Sequence, residues 1–183
     1  MAGVAKRKRD RTGTTLSVPG VVPTHITPEE QPATPARQTA EFPPSLQVAF
    51  DASVHYGPDH ARPDSGAIGF LMEEGMTVHL RRSERVPHLV SSTALEYRAL
   101  LAAVRAVRER FDRVASLHIQ GDADVVLDAV EQSVDFWPSG SIEQRRTRSI
   151  QQLIAPIHTV TYQRVPRELN ERAHELAQAG HRC

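Results

Sequence analysis

Three carboxylates stand where a fold could gather them. Asp51 closes the apolar run Leu46-Gln-Val-Ala-Phe50, Glu96 opens an amphipathic stretch, and Asp122 follows the run Leu117-His-Ile-Gln120. Acids at two strand ends and one helix start form a candidate site for hard divalent cations, which take oxygen ligands and serve phosphoryl-transfer chemistry singly or in pairs. Each acid also has a plainer reading. Asp51 could simply begin a loop, and Asp122 could cap the helix that follows it, a role for which Asp124 competes. Thr93-Ala-Leu-Glu96 has the pattern of a capping box, with Thr93 as N-cap and Glu96 reaching back to a free backbone N–H. Against that, Leu100, Val104 and Val107 follow Glu96 by four, eight and eleven residues, which puts its carboxylate on the core-facing stripe of a helix. An acid there needs a strong partner, because an unpaired buried charge is costly.

The elements that must position these groups read as follows. Leu46 to Ser53 alternates as a strand, Gly66 to Met72 is a second, and the turn Glu73-Glu-Gly75 leads into a third from Met76 to Arg82, so the second and third form a hairpin. The first pairs with the second across the longer loop Gly57 to Asp64. Ser91 to Phe111 is a helix, with apolar residues at helical spacing and arginines on its other faces. A fourth strand spans Val114 to Gln120, helices Asp124 to Gln132 and Ile142 to Ile154 follow, then a last strand from His158 to Val165 and a last helix from Glu168 to Ala179. That order implies an α/β domain with a five-stranded mixed sheet: a three-strand antiparallel meander plus two parallel strands added through crossovers, flanked by helices. On the first strand Asp51 shares a face with Gln47 and Ala49, and the small Ala49 is expected to admit a helix closely and bring Glu96 toward Asp51.

Bulk properties narrow the classes. A chain of 183 residues with 22 basic and 22 acidic side chains has no global field to hold it on nucleic acid, so any such binding must use local patches. The one cysteine, Cys183, excludes an intramolecular disulfide and a cysteine-rich zinc site. No run reaches the length of a membrane span, and no apolar stretch follows the basic residues near the N-terminus, so the expectation is a cytoplasmic protein with no membrane partner. Residues 1–44 read as a disordered Pro/Thr-rich tail carrying Lys6-Arg-Lys-Arg9 and Arg11; residues 45–183 read as the folded domain. The basic cluster is open to two readings, a solvated tail or an arm that adds phosphate affinity or acts as a nuclear signal. Nine histidines match no zinc spacing, and phosphate-loop, dinucleotide and serine-nucleophile motifs are absent.

Five segments together resemble a known family. Asp51-Ala-Ser53, Ser65-Gly-Ala-Ile-Gly69, Thr93-Ala-Leu-Glu-Tyr-Arg-Ala-Leu100, Gly121-Asp122 and Arg164-Val-Pro-Arg-Glu-Leu-Asn170-Glu-Arg-Ala173 look like type 1 ribonuclease H, in its archaeal-like branch. The resemblance runs from about Leu46 to Gly180 and is most specific in the helix start around Glu96 and in the segment ending at Ala173. It implies a ribonuclease H-like fold and an endonuclease that hydrolyses the RNA strand of RNA–DNA hybrids with two Mg²⁺ or Mn²⁺ ions. Carried over by position, Asp51 would bridge both ions, Glu96 would bind one and help recognise a 2′-hydroxyl, and Asp122 would bind alongside. Ser53, Arg167 and Asn170 fall in matched segments as substrate contacts. The fourth metal position is His174, where the family usually has aspartate; imidazole suits Mn²⁺ or softer ions better than Mg²⁺ and brings no negative charge. Glu171 or Glu175 could compensate for it. The alternative is a non-catalytic hybrid-binding module whose site is weakened at His174. Trp137 is read as a core anchor rather than a base-stacking platform.

Overall fold

The computed structural model describes residues 42–56, 63–87, 91–132 and 138–182, all within the compact unit Pro35–Cys183. The expected tail up to Glu41, His60 and most of its loop, Trp137 and Cys183 lie outside the described residues. The strands are β1 (Ser45–Tyr56), β2 (Pro63–Glu74), β3 (Thr77–Val86), β4 (Ser116–Gly121) and β5 (Thr159–Arg164). The helices are α1 (Ser92–Arg110), α2 (Asp124–Glu131), α3 (Ile142–Ile154) and α4 (Glu171–Ala179), with short 3₁₀ turns at Arg167–Leu169 and Gly180–Arg182. The sheet order is β3-β2-β1-β4-β5, antiparallel between the first three neighbours and parallel from β1 through β4 to β5. This is the meander with two parallel additions that the element order implied. No helix among the described residues is long and apolar enough to cross a membrane.

The alternation of β1 divides the molecule into layers. Leu46, Val48 and Phe50 join Leu95, Leu100, Val104, Leu117, Ile119 and Ile150 in the large core under α1, α2 and α3. Each such buried side chain contributes roughly 1.5–3 kcal/mol. The other face holds a small cluster of Ala49, Leu71 and Ala173, with Leu176 against it. Ala49 therefore admits α4 and not α1, which corrects the expectation that it would draw Glu96 toward Asp51. Glu96 reaches the strand end from the opposite layer, carried by the packed stripe of α1.

Two further expectations change at helix ends. Ser91, not Thr93, caps α1, with its side chain accepting from the Ala94 N–H at 3.1 Å. Glu96 thus lies beyond the first turn and has no capping role. The last helix is broken into the Arg167–Leu169 turn and α4, because Asn170 between them (φ −108°, ψ 15°) turns its amide into the protein instead of continuing the helix.

The seat of α4 depends on a missing side chain. A Cβ on Gly69 of β2 would lie 2.1 Å from the Ala177 backbone nitrogen, closer than any real contact. Gly69 pairs with Asp51 on β1, so the close approach holds α4 over the row that carries the first acid. Ser83 in the next strand secures it by donating to Leu176 O at 2.5 Å, and Arg172 makes a forked bond to Glu73 at 2.6 and 2.8 Å. Gly69→Ala is expected to lower stability by about 3 kcal/mol, since backbone and not a yielding side chain opposes the new methyl. Urea denaturation checks this, and a loss under about 0.5 kcal/mol, ordinary for a surface change, would show that α4 is not seated there.

Candidate functional site

Parallel pairing of β1 with β4 brings both strand ends to one edge. The ladder runs to Ala49 opposite Gln120, and two residues further along each chain stand Asp51 and Asp122. The carboxyl edge of parallel strands is where open α/β sheets place their ligands. Asp51 is 3% exposed. Glu96 comes from the first half of α1, with its Oε2 buried and without a hydrogen-bond donor among the described residues.

The electrostatics follow from burial and mutual repulsion. Removal from water is the main cause that raises the Asp51 carboxyl above its ordinary value; the hydrogen bond from His174 opposes this, and the charge of Asp122 adds to it. Burial first, then the charges of Asp51 and Asp122, push Glu96 from 4.5 up to about 9, while a backbone bond from Ala52 and the charge of Arg167 pull it back slightly. The three acids therefore act on one another, as carboxyls sharing a site do. Glu171 and Glu175, both exposed, are not among the groups that shift Asp51 or Glu96.

The donors of the site come from the segment leading into α4. Asn170, 2% exposed, donates from Nδ2 to Phe50 O at 2.9 Å and to Asp122 Oδ1 at 3.0 Å. His174 lies one turn on, with Nδ1 2.6 Å from Asp51 Oδ2. Its Nε2 faces Arg167 Nη2 at 2.7 Å and Gln178 Nε2 at 2.8 Å. Gln178 was not singled out in the sequence, although its place four residues after His174 on a helix puts the two side chains on one face. Arg167 is exposed and Ser53 is half-buried on β1, two residues past Asp51 and so on the same strand face. Arg164 is held by Asp128 and Glu131, yet it lines a shallow groove with Asp122, Asp124 and Arg167 beside the strand ends.

These residues pass a chemical test for a divalent cation. Three carboxylates press on one another, and a buried oxygen of one has no donor, so an added positive charge would relieve both defects. As they stand, no three His, Cys, Asp or Glu side chains among the described residues close around a single ion position.

A family model described as reverse transcriptase-like matches residues 49–180, a span that includes all three acids and His174. No curated protein matches the chain. Several solved structures share the fold. RNase H1 from the halophilic archaeon Halobacterium salinarum NRC-1 superposes with a TM-score of 0.61 at 21% identity, over 75% of this chain and 98% of that one. The N-terminal RNase H domain of a Mycobacterium tuberculosis protein gives 0.62 at 17% identity, over 74% and 97%. LC11-RNase H1, in complex with an RNA/DNA hybrid, gives 0.63 at 14% identity, over 74% and 95%. At these identities the likeness is one of fold, the ribonuclease H-like sheet.

The raised Glu96 value has a consequence for stability with a definite sign. Between its ordinary 4.5 and about 9, the folded chain keeps a proton that the unfolded chain has lost. Stability from this group is thus complete below pH 4.5 and is lost progressively as pH rises to about 9. In metal-free protein, Glu96→Gln is expected to add on the order of 2 kcal/mol at neutral pH and to flatten the fall of Tm across that window. Thermal melts of both proteins from pH 5 to 9 check it; parallel curves would mean that Glu96 ionises in the folded chain as freely as in the unfolded one.

Proposed function

Because the chain belongs to the reverse transcriptase-like family, we propose that it is a metal-dependent endonuclease that hydrolyses the RNA strand of RNA–DNA hybrids, of the type 1, archaeal-like ribonuclease H kind. The observation that carries this reading is the convergence of Asp51, Glu96 and Asp122 at the carboxyl edge of β1 and β4, with Glu96 Oε2 buried and lacking a donor. These three would hold Mg²⁺ or Mn²⁺. Two such ions, when bound, supply a water-derived nucleophile and neutralise charge on the attacked phosphate and the leaving oxygen. The chain's own groups bind and orient: Arg167, exposed beside the acids, offers a guanidinium to a phosphate, and Ser53 lies along the strand face that leads away from Asp51. Asn170 keeps Asp122 aimed. The hybrid in the LC11-RNase H1 complex supports the substrate class.

A second reading has an observation of its own. His174 takes the position of a fourth acid and spends Nδ1 on Asp51 at 2.6 Å, so the cluster has three carboxylates instead of four. The lost carboxylate is the feature that favours a hybrid-binding module without hydrolysis.

Cleavage of a hybrid labelled on its RNA strand, in Mg²⁺ and in Mn²⁺, separates the two. The nuclease reading expects RNA fragments from the wild type and a loss of about 100-fold or more in Asp51→Asn, at least the upper range for disturbing groups behind a metal ligand. Retained hybrid binding with no cutting in either ion would establish the binding module instead.

A further inference from the structure

The start of α4 presents two donors one turn apart, each bonded to a different strand-end acid: Asn170 Nδ2 to Asp122 Oδ1 at 3.0 Å, and His174 Nδ1 to Asp51 Oδ2 at 2.6 Å. Both ring nitrogens of His174 are engaged by neighbours. A guanidinium has donors only. Arg167 Nη2 lies 2.7 Å from Nε2 and 3.0 Å from Nδ1, against the ring beside both nitrogens. Gln178 Nε2 also points at Nε2, at 2.8 Å, while Nδ1 faces the carboxylate. Nδ1 is thus engaged by Asp51 and Nε2 is faced by Arg167 and Gln178, so neither ring nitrogen is open to a cation. A cation would have to displace the positively charged Arg167 to reach Nε2.

We infer that His174 is a positioning residue and not a metal ligand: α4 replaces a fourth carboxylate with two side chains, Asn170 and His174, that each grip one oxygen of Asp122 and Asp51, while Arg167 and Gln178 close off the other ring nitrogen. The inference rests on the reading of Asp51, Glu96 and Asp122 as a cation site. It deepens that reading by giving α4 the task of orienting ligands, the role that hydrogen-bond partners behind a metal site ordinarily take. Asparagine at position 174 would preserve an N–H donor toward Asp51, whereas alanine would remove it.

Two measurements on the full-length chain test this. The first is a long-range proton–nitrogen NMR spectrum of protein labelled at histidine nitrogens, with the His174 signals assigned by their loss in His174→Asn. The expected pattern is a protonated Nδ1, unchanged when Mg²⁺ is added to saturation. An unprotonated Nδ1, or a Mg²⁺-induced shift of either nitrogen into the coordinated range, would overturn the inference. The second is Mn²⁺ binding followed by electron paramagnetic resonance. His174→Asn is expected to bind within about threefold of wild type and His174→Ala about tenfold more weakly; equal weakening in both would overturn the donor role. Asp51→Asn serves as the control that abolishes the site. If the wild type itself takes up no Mn²⁺, the cation-site reading fails, and the NMR pattern still decides whether His174 grips Asp51.

Discussion

Carboxylates at the ends of neighbouring parallel strands, with a third brought in from the helix layer above, cannot all be ionised and buried at once without help. The repulsion shows in Glu96, whose value is driven to about 9 by burial and by its two acidic neighbours. Much of the surrounding structure answers that problem. Ala52 offers a backbone bond, Asn170 and His174 offer donors, and Arg167 supplies the positive charge that Glu96 feels. No stability argument explains why a core-facing stripe of α1 should carry a glutamate, since an apolar side chain there would cost nothing in desolvation. A site that needs oxygen ligands explains it directly.

The rest of the fold is arranged to hold those groups without slack. The large core beneath α1 fixes the height of Glu96 above the sheet. On the other face, the absence of a side chain at Gly69 lets α4 sit so close that its fourth residue, His174, reaches Asp51. Ala49 and Ala173 meet between them as the small side chains such an approach requires. The forked Arg172–Glu73 bond and the Ser83 contact pin the same helix at its outer edge. A helix packed on small residues tolerates little rotation, which is what a site built from its first turns needs.

Strong periodic signals in the sequence were sufficient for the strands, the meander and the two parallel additions, and they marked three acids at element ends; the order of the strands in the sheet came with the fold. Glu96 was legible because the apolar residues after it repeat at helical spacing, and that stripe has only one buried direction. Asp51 and Asp122 were legible only as acids closing apolar runs; that their strands are parallel neighbours ending at one edge is seen in the fold. Contacts between layers were not legible. Strand alternation assigns Ala49 to a face but does not say which helix covers it. A serine at 91 and a threonine at 93 both suit a cap, and only the non-helical backbone of Ser91 itself (φ −58°, ψ 155°) decides for it. Asn170 was placed in a matched segment, yet nothing local reveals that it turns inward to Asp122 across 48 residues of chain. Gln178 carried the weakest signal, a spacing of four from His174, which is common on any helix.

The central claim is that the acids are gathered for a cation that relieves their mutual charge. It is tested most directly by the protons displaced when the cation binds. Calorimetric titration of Mg²⁺ or Mn²⁺ into metal-free protein, in two buffers of different ionisation enthalpy, counts them. Release of about one proton per protein near pH 7, vanishing above the Glu96 value of about 9, is the expected result. Binding with no proton release near pH 7, or a release that persists unchanged above pH 9, would contradict the account.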